Sequence, residues 1–533
     1  MNVIFNKDYV YYNVAIFALA CSLSYLVKKY FALSGTYVLF GFLFVSLYFL
    51  LRGYGAKAVK VSGFRVLYSF VPLLLLFIYF CILGVFGDFD FSSIVFHIEM
   101  GTGGHIPHGL VNPILRYALS FLGVAASLAV LINLDKRFLV ADRALFIPLF
   151  LVNPMLLGIA DYLLINRYDD RLLQAYHQPE HLTLPARANK NLLMIYAESM
   201  ERSFSEISHG EASFAEMSRL AASGLEVAGI RQVNNTGWSM AGFVTTQCGM
   251  PLQRRGMLTQ DMNETQESFF AGIPCLSDIL NDNGYHTEFM NGSDHGFAGM
   301  KPFLDTHNFS YISGLLDYNN DAGSYLNSWG LFDDTLFEQA EIRIRKLHEA
   351  GRPYAFSVAT ISAHFPDGHP TKSCDAALEG HGLPPILYAV KCTGYEIERF
   401  LNNLREEGYL KNTIIVIVSD HLMMKNQFTN ELDKTDRMNY FTVLADDIQP
   451  QLIKRDAAMF DVFPTILDLL GFPLKDGRAG LGVSLLSDYP TLVEEYGLTA
   501  VNDFIRNDKL LAYKAWMKPE ASTEKIAKHF SVK

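Results

Sequence analysis

Three apolar runs of this sequence each end in residues that can bind a metal ion. The run "NLLMIYAES" ends with Glu198, "PYAFSVATISAH" reaches His364, and "NTIIVIVSDH" closes with Asp420 and His421. Carboxylates together with an imidazole are an adequate ligand set for Zn²⁺ or Mn²⁺. Taken singly, Glu198 would instead pair with Arg202, and Asp-His would be an ordinary turn pair. Together they predict a divalent metal site that still needs one ligand.

A hydroxyl group in "NNTGWSMAGFVTTQCGMPL" is the predicted fourth ligand. Thr236 stands just before a helix-like stretch, where free backbone N–H groups suit an anionic phosphate. A metal ion bound to this hydroxyl would lower its pKa and turn it into a nucleophile. The pattern predicts phosphoryl-type transfer through a covalent intermediate on Thr236. A helix-capping role for Thr236 is the alternative, and the rival nucleophiles are Ser239, Thr245 and Thr246.

The tripeptide Ser-Asp-His also occurs earlier, in "FMNGSDHGFAG". Asp294 and His295 stand there among residues that are typical of turns. We expect a turn after a strand at this position, and a contact with the acceptor at the rim of the site is the alternative.

The elements around these residues predict an α/β fold. The apolar runs lack polar alternation, as strands buried on both faces do. Helix-like stretches such as "LFDDTLFEQAEIRIRKLHEAG" and "YEIERFLNNLREEG" lie between them, each closed by a glycine. Strands alternating with helices indicate a mostly parallel sheet with helices on both sides. Ligands bind at the carboxyl ends of such strands.

The first third of the chain predicts a membrane domain. The 533 residues are 50% hydrophobic, with a mean hydropathy of +0.16, which is too apolar for an ordinary soluble enzyme. Five apolar runs, each near the ~20 residues that cross a bilayer, account for the excess. They are roughly Val10–Val27, Tyr37–Leu51, Leu67–Phe86, Tyr117–Leu134 and Ala144–Ile165.

Basic residues predict how these helices are oriented. Lys and Arg cluster between the second and third runs and between the fourth and fifth, which places both loops in the cytoplasm. Lys28 and Lys29 oppose this orientation. Everything after Ile165 then lies outside the cytoplasm. An earlier loop with His97, His105 and His108 also lies outside, and the spacing of its histidines matches no recognisable metal-binding pattern. We expect a transmembrane domain at 1–166, a linker at 167–190, a catalytic domain at 191–497 and a tail of unassigned role at 498–533.

Charge and cysteine content agree with an exported domain. The formal net charge of −11 gives no basic footprint for a nucleic acid. An even number of cysteines in an exported domain predicts disulfides, and four cysteines allow three pairings. Pairing of nearest neighbours is the simplest, with free thiols as the alternative. It would join Cys248 to Cys275 and Cys374 to Cys392.

The second half of the chain resembles the alkaline phosphatase/sulfatase superfamily. Within it, the chain is most similar to membrane-anchored phosphoglycerol transferases, namely glucan phosphoglycerol transferases of Gram-negative bacteria and, more distantly, lipoteichoic acid synthases. The matching stretches include "NLLMIYAESMERSF", "NNTGWSMAGFVTTQCGMPL" and "NTIIVIVSDHL", in family order over most of residues 190–480. The stretches "TQCGMPL", "SWGLFDD" and "HFPDG" favour the glucan-type branch.

This resemblance implies roles for individual residues. Thr236 has the family's spacing to "GMP" and would be the nucleophile. His364 would bind the substrate phosphate or protonate the leaving group, and Trp329 would line the headgroup pocket. The implied cofactor is one divalent metal ion, usually Mn²⁺, with Zn²⁺ or Mg²⁺ as alternatives. Its ligands would be Glu198, Thr236, Asp420 and His421.

The resemblance also implies an activity and a location. The enzyme would transfer phosphoglycerol from phosphatidylglycerol to a periplasmic or surface saccharide, such as an osmoregulated periplasmic glucan, and release diacylglycerol. It would be a multi-pass protein of the bacterial inner membrane with its catalytic domain facing the periplasm. A sulfatase is disfavoured because "CGMPLQ" lacks the Ser and Arg of the formylglycine motif, and no second metal-ligand set is evident. The alternatives are a phosphoethanolamine transferase acting on lipid A or glycan, and a non-catalytic membrane scaffold.

Overall fold

The computed structural model describes the chain from residue 169 to residue 517, with gaps at 180–181, 185–189, 254–267, 323–324 and 379–381, together with a few isolated residues before 169. The five predicted membrane helices lie outside the described residues except for a few positions in the third and fifth, and the histidine-containing outer loop lies outside them entirely. Where the chain is described, none of its helices combines the length and the apolar character needed to cross a bilayer.

Ten strands are described. They are β1 Asn191–Ala197, β2 Leu225–Arg231, β3 His286–Asn291, β4 Tyr311–Ser313, β5 Tyr354–Ala359, β6 Thr413–Ser419, β7 Phe441–Leu444, β8 Gln451–Ala458, β9 Arg478–Ala479 and β10 Gly482–Val483. The first eight form one sheet in the order β4-β3-β5-β1-β6-β7-β2-β8. All neighbours pair in parallel except β7, which is antiparallel to β6 and to β2. The mostly parallel sheet predicted from the sequence is confirmed.

The α-helices that accompany these strands vary greatly in length. They are α1 Arg171–Ala175, α2 Gly210–Ser213, α3 Ala215–Ala222, α4 Ser239–Cys248, α5 Leu276–Asp282, α6 Met300–Thr306, α7 Leu315–Ala322, α8 Asp333–Glu349, α9 Lys372–Ala377, α10 Pro385–Glu406, α11 Thr429–Leu432, α12 Val462–Leu469, α13 Leu492–Tyr496, α14 Leu498–Asn507 and α15 Leu510–Trp516. Short 3₁₀ turns connect several of them. The predicted helix beginning "YEIERF" is the second half of α10, which starts earlier because Pro385 is well suited to the first turn of a helix.

The core lies on both faces of the central strands. In β1, Leu192 and Met194 pack into one apolar cluster, while Leu193 and Ile195 pack into another. Since successive side chains of a strand point to opposite faces, a strand with no polar alternation must be covered on both sides. This confirms the interpretation of the apolar runs as doubly buried strands.

The register of the central strands brings the predicted ligands together. Ala197 at the end of β1 pairs with Ser419 at the end of β6, and Tyr196 pairs with Ala359 at the end of β5. The residues that follow these three strands therefore leave the sheet at the same edge, as expected for parallel neighbours.

Two disulfides link the helices of the described domain. Cys248 at the end of α4 bonds to Cys275, the residue before α5, and Cys374 in α9 bonds to Cys392 in α10. The predicted nearest-neighbour pairing is confirmed.

Helices α14 and α15 pack into the core, although the sequence predicted only a tail from residue 498. Val501, Ile505, Leu511 and Trp516 are all buried within the larger apolar cluster. The described chain up to residue 517 therefore belongs to the same folded body as the sheet.

Candidate metal centre

Three of the predicted ligands meet at the carboxyl edge of the sheet. One potential ligand atom from each of Glu198, Asp420 and His421 lies within 4.8 Å of the others. His421 Nε2 is 3.5 Å from Glu198 Oε1 and 3.4 Å from Asp420 Oδ2. All three side chains are buried. Two carboxylates and an imidazole at this spacing form a donor set that fits a divalent cation.

Backbone and side-chain hydrogen bonds hold the ligands in place. The Ser199 N–H donates to Asp420 Oδ1 at 2.8 Å, and the Ser199 hydroxyl donates to Glu198 Oε1 at 2.8 Å. Ser199 adopts the left-handed region with φ 54°, which is unusual outside glycine and typical of functional sites. His421 Nδ1 lies 2.8 Å from the Leu422 carbonyl oxygen. An N–H at Nδ1 leaves the Nε2 lone pair facing the carboxylates, as in metal-binding histidines.

The charges of these groups show why a cation fits. Burial raises the pKa of Asp420 to about 7, and the nearby Glu198 carboxylate adds to the rise. Burial would lower the pKa of His421, but the Asp420 and Glu198 carboxylates outweigh it and raise the pKa to about 9. A proton on His421 thus offsets part of the buried negative charge. A divalent metal ion would replace that proton, so the site is chemically suited to bind one.

Ser239, rather than Thr236, lies beside the three ligands. The Ser239 hydroxyl donates to Glu198 Oε2 at 3.2 Å and lies 3.3 Å from His421 Nε2. Ser239 is also the first residue of α4, where backbone N–H groups have no partner within the helix. A phosphate held there would meet both the free N–H groups and the hydroxyl.

Thr236 has a different set of partners. Its hydroxyl donates to the Val233 carbonyl at 2.7 Å and accepts from the Val233 N–H at 3.2 Å, and the residue is fully buried. Both hydrogen-bonding roles of the hydroxyl are therefore used within its own loop. The described hydrogen bonds of the Thr236 hydroxyl therefore join it to Val233, whereas the Ser239 hydroxyl contacts two of the predicted ligands, Glu198 and His421. The other two rivals, Thr245 and Thr246, donate to helix carbonyls of α4 at 2.6 and 3.0 Å.

A glycine allows α4 to approach the candidate metal ligands closely. A Cβ atom on Gly242 would lie 1.6 Å from the Asp420 carbonyl oxygen. Only a residue without a side chain fits this contact. Gly242 lies one turn after Ser239 along α4, so this packing places the Ser239 hydroxyl beside His421.

His364 and Trp329 lie next to each other near the candidate centre. Their ring centroids are 3.9 Å apart, and His364 is close enough to Glu198 and His421 for their charges to affect its pKa. Burial lowers the pKa of His364, and the Glu198 carboxylate opposes the shift only in part. His364 Nδ1 lies 2.9 Å from the Phe365 carbonyl oxygen, which leaves Nε2 available to a substrate.

The sequence analysis did not identify His369 and Ser328, a hydrogen-bonded pair near the His364 imidazole. His369 Nε2 lies 3.1 Å from the Ser328 hydroxyl, and burial together with His364 lowers the pKa of His369 to about 4. The motif "HFPDGH" contains both His364 and His369, and this second histidine five residues later could have identified His369 from the sequence.

The earlier Ser-Asp-His forms a turn. Asp294 Oδ1 accepts a hydrogen bond from the Gly296 N–H at 2.8 Å, closing a loop that leads into a 3₁₀ turn at Phe297–Gly299. Asp294 and His295 belong to neither of the ligand groups found among the described residues. The second such group contains Cys248, Cys275 and His307, but its sulfur atoms are already joined in a disulfide.

Comparisons with known proteins agree with this architecture. Phosphoglycerol transferase I of Citrobacter koseri is 34% identical over 330 residues, which cover 60% of this chain and 42% of the relative. The protein of the same name from Xanthomonas euvesicatoria is 32% identical, covering 57% of this chain and 43% of the relative. The chain therefore spans less than half the length of these curated relatives.

Solved structures also show similarity. The lipoteichoic acid synthase LtaP from Listeria monocytogenes superposes with a TM-score of 0.47 at 16% identity, covering 60% of this chain and 81% of that one. A protein in the alkaline phosphatase superfamily from Vibrio parahaemolyticus gives a TM-score of 0.47 at 20% identity, covering 65% and 95%. The family model described as Sulfatase matches residues 190–472, more than half of the sequence. The chain belongs to the sulfatase family, within the alkaline phosphatase superfamily.

Proposed function

We propose that this protein transfers phosphoglycerol from phosphatidylglycerol to a hydroxyl of a periplasmic or surface saccharide. The single observation that carries the proposal is the Ser239 hydroxyl, placed at a helix start and within 3.3 Å of both Glu198 and His421. The relatives named phosphoglycerol transferase I support this choice of transferred group.

The metal ion in this proposal is held by Glu198, Asp420 and His421, with the Ser239 hydroxyl as the fourth ligand. When bound, a divalent cation would lower the pKa of that hydroxyl and offset the phosphate charge. We propose Mn²⁺, with Zn²⁺ and Mg²⁺ as the alternatives that a metal analysis would distinguish. Ser239 replaces Thr236 in the ligand set because the Thr236 hydroxyl bonds to Val233 instead.

The reaction has two balanced steps. Ser239 Oγ loses its proton and bonds to phosphorus, the phosphorus–oxygen bond to diacylglycerol breaks, and the departing oxygen takes up one proton. The acceptor hydroxyl then loses its proton as its oxygen bonds to phosphorus, the bond from phosphorus to Ser239 Oγ breaks, and Ser239 Oγ takes up one proton. Two transfers with a covalent intermediate split one difficult displacement into two easier ones.

The surrounding residues of the chain have separate tasks in these steps. Glu198 Oε2 accepts a hydrogen bond from the Ser239 hydroxyl and so orients it in the resting enzyme. His364 Nε2 would bind the substrate phosphate or protonate diacylglycerol, since an anionic phosphate nearby raises the pKa of an imidazole. Trp329 packs on the His364 ring and would line the headgroup pocket.

The predicted domain organisation is part of the proposal. The apolar segments at 1–166 would hold the catalytic domain at the periplasmic face of the inner membrane, close to its lipid donor. The acceptor would be a saccharide such as an osmoregulated periplasmic glucan.

The test supplies the purified full chain and Mn²⁺ with vesicles of phosphatidylglycerol or phosphatidylethanolamine, with and without periplasmic glucan. We expect diacylglycerol release from phosphatidylglycerol only, and a mass increase of the glucan by one phosphoglycerol unit. Release from phosphatidylethanolamine alone would instead assign phosphoethanolamine transfer. No release from either lipid with Mn²⁺, Zn²⁺ or Mg²⁺, and no bound metal, would support a non-catalytic scaffold.

A further inference from the structure

The C-terminal helices contact the loop that leads to Ser239. Asn502 in α14 accepts a hydrogen bond from the Asn234 N–H through its Oδ1 at 2.7 Å. The Asn502 backbone carbonyl accepts a second one from Asn234 Nδ2 at 3.0 Å. Asn234 precedes Ser239 by five residues, so α14 is bonded directly to the segment that sets where α4 begins.

Gln253 connects the same loop to both C-terminal helices. Its Oε1 accepts from Asn235 Nδ2 at 3.1 Å, and its Nε2 donates to the Ile505 carbonyl at 3.1 Å. Its backbone carbonyl accepts from Trp516 Nε1 at 2.8 Å. Gln253 is itself buried, so these bonds are shielded from water.

The loop also contains a turn in the left-handed region. Asn235 has φ 62°, a conformation that asparagine tolerates better than most other non-glycine residues. The bonds between Thr236 and Val233 close the loop on itself but do not attach it to another element. The contacts from α14 and Gln253 supply attachment at Asn234 and Asn235, in addition to the hydrogen bond from the Leu422 N–H to Gln232 Oε1 at 2.8 Å.

The helices that provide the support are themselves firmly seated. Trp516 packs on Phe269 and Phe270, with ring centroids 4.8 and 5.0 Å apart. The Gly272 N–H donates to the Ala515 carbonyl at 2.9 Å. Since α14 and α15 are anchored in the core, a bond from Asn502 holds the loop against a rigid element.

We infer that α14 and α15, which lie beyond the matched sulfatase region, are part of the catalytic apparatus, and that Asn502 is a positioning residue for Ser239. The inference rests on the proposed function, because Ser239 is the nucleophile there. Asn502 acts through the Asn234 amide and touches no reacting atom. A nucleophile that is displaced slightly from its productive geometry reacts more slowly even when substrate still binds.

Three variants of the full chain test this role. Asn502→Ala removes the acceptor of the Asn234 N–H but leaves the backbone carbonyl bond, and Asn502→Asp keeps an acceptor oxygen in the same place. Asn507→Ala is the matched control, since Asn507 is in the same helix and donates to Asp503. Loss of one such bond to a loop amide predicts about a tenfold lower kcat for diacylglycerol release, with KM unchanged.

Amide hydrogen exchange provides a readout that does not depend on activity. We expect Asn502→Ala to speed exchange in residues 233–239, and Asn502→Asp to restore both the exchange and kcat, while Asn507→Ala resembles the wild type. Unchanged kcat and exchange in Asn502→Ala would overturn the inference, as would equal losses in Asn502→Ala and Asn507→Ala. If the wild type releases no diacylglycerol, the proposed function fails, and the exchange of residues 233–239 alone decides whether Asn502 positions the loop.

Discussion

Replacing the Ser239 hydroxyl tests the proposed nucleophile against Thr236, the nucleophile predicted from the sequence. Ser239→Ala removes the oxygen that lies 3.2 Å from Glu198 and 3.3 Å from His421. Loss of a covalent nucleophile lowers kcat by about 10⁴-fold or more, which corresponds to about 5.5 kcal/mol of transition-state stabilisation. Folding should be little affected, because both contacts are near the length limit of a hydrogen bond and are worth about 1 kcal/mol each at most.

For Thr236→Val we expect the opposite result, a loss of stability with little loss of activity. Valine matches the shape of threonine but leaves the Val233 N–H and carbonyl without their side-chain partner in a fully buried loop. An unpaired buried group costs about 1–3 kcal/mol. We therefore expect a lower free energy of unfolding and a much smaller loss of kcat than in Ser239→Ala, since the two lost hydrogen bonds hold the loop and involve no reacting atom. Thr236→Ser keeps the hydroxyl and serves as the control.

The assay measures diacylglycerol released from phosphatidylglycerol vesicles, alongside chemical denaturation and bound metal. Ser239→Ala should retain metal, because Glu198, Asp420 and His421 still supply three ligands. The reasoning is refuted if Ser239→Ala keeps wild-type turnover, or if Thr236→Val abolishes turnover while its stability and metal content are unchanged.

Three further predictions address the supports of the site. Gly242→Ala should lower both metal affinity and stability because its Cβ would overlap the Asp420 carbonyl, although alanine normally favours a helix by about 1 kcal/mol. The control is Gly394→Ala in α10, where the nearest neighbours of the new Cβ are side-chain atoms at 3.0 and 3.3 Å. Equal metal affinity in both variants would contradict the proposed contact between α4 and Asp420. Removing the Cys248–Cys275 disulfide, which closes 27 residues, by double substitution with alanine should lower the free energy of unfolding by about 3.5 kcal/mol, and an unchanged denaturation midpoint would count against it. Burial raises the pKa of Asp461 to about 7, above the unfolded value near 3.9. The folded state therefore binds the extra proton, and stability should fall as pH rises from about 4 to 7, by at most about 1.4 kcal/mol per pH unit. Asp461→Asn should flatten that dependence in urea titrations, and an equal slope in both proteins would show that Asp461 is not its source.

Local patterns predicted the parts of the fold that depend on short-range physics. The apolar runs of β1, β5 and β6 identified doubly buried strands, because side-chain alternation is a property of the strand itself. The positions of Glu198 and Asp420 followed, since parallel neighbours present their carboxyl ends at one edge. The disulfide partners are also close in sequence, which made the nearest-neighbour pairing the simplest.

The C-terminal helices show where such patterns are insufficient. The sequence predicted a tail from residue 498, but Val501 and Trp516 are buried against elements that lie far away in the chain. Whether an amphipathic helix covers a core depends on which surface is left open, and that surface exists only after the sheet has assembled.

The choice of the proposed nucleophile shows the same difference between sequence and tertiary structure for a single side chain. From the sequence alone, the α/β class, the central strands, the convergence of three candidate metal ligands and both disulfides could be predicted, because each depends on neighbouring residues or on the general geometry of parallel sheets. The choice between Thr236 and Ser239 required the tertiary structure. Gly242 lets α4 dock against Asp420, and that long-range contact directs the Ser239 hydroxyl to the ligands while Thr236 bonds to its own loop.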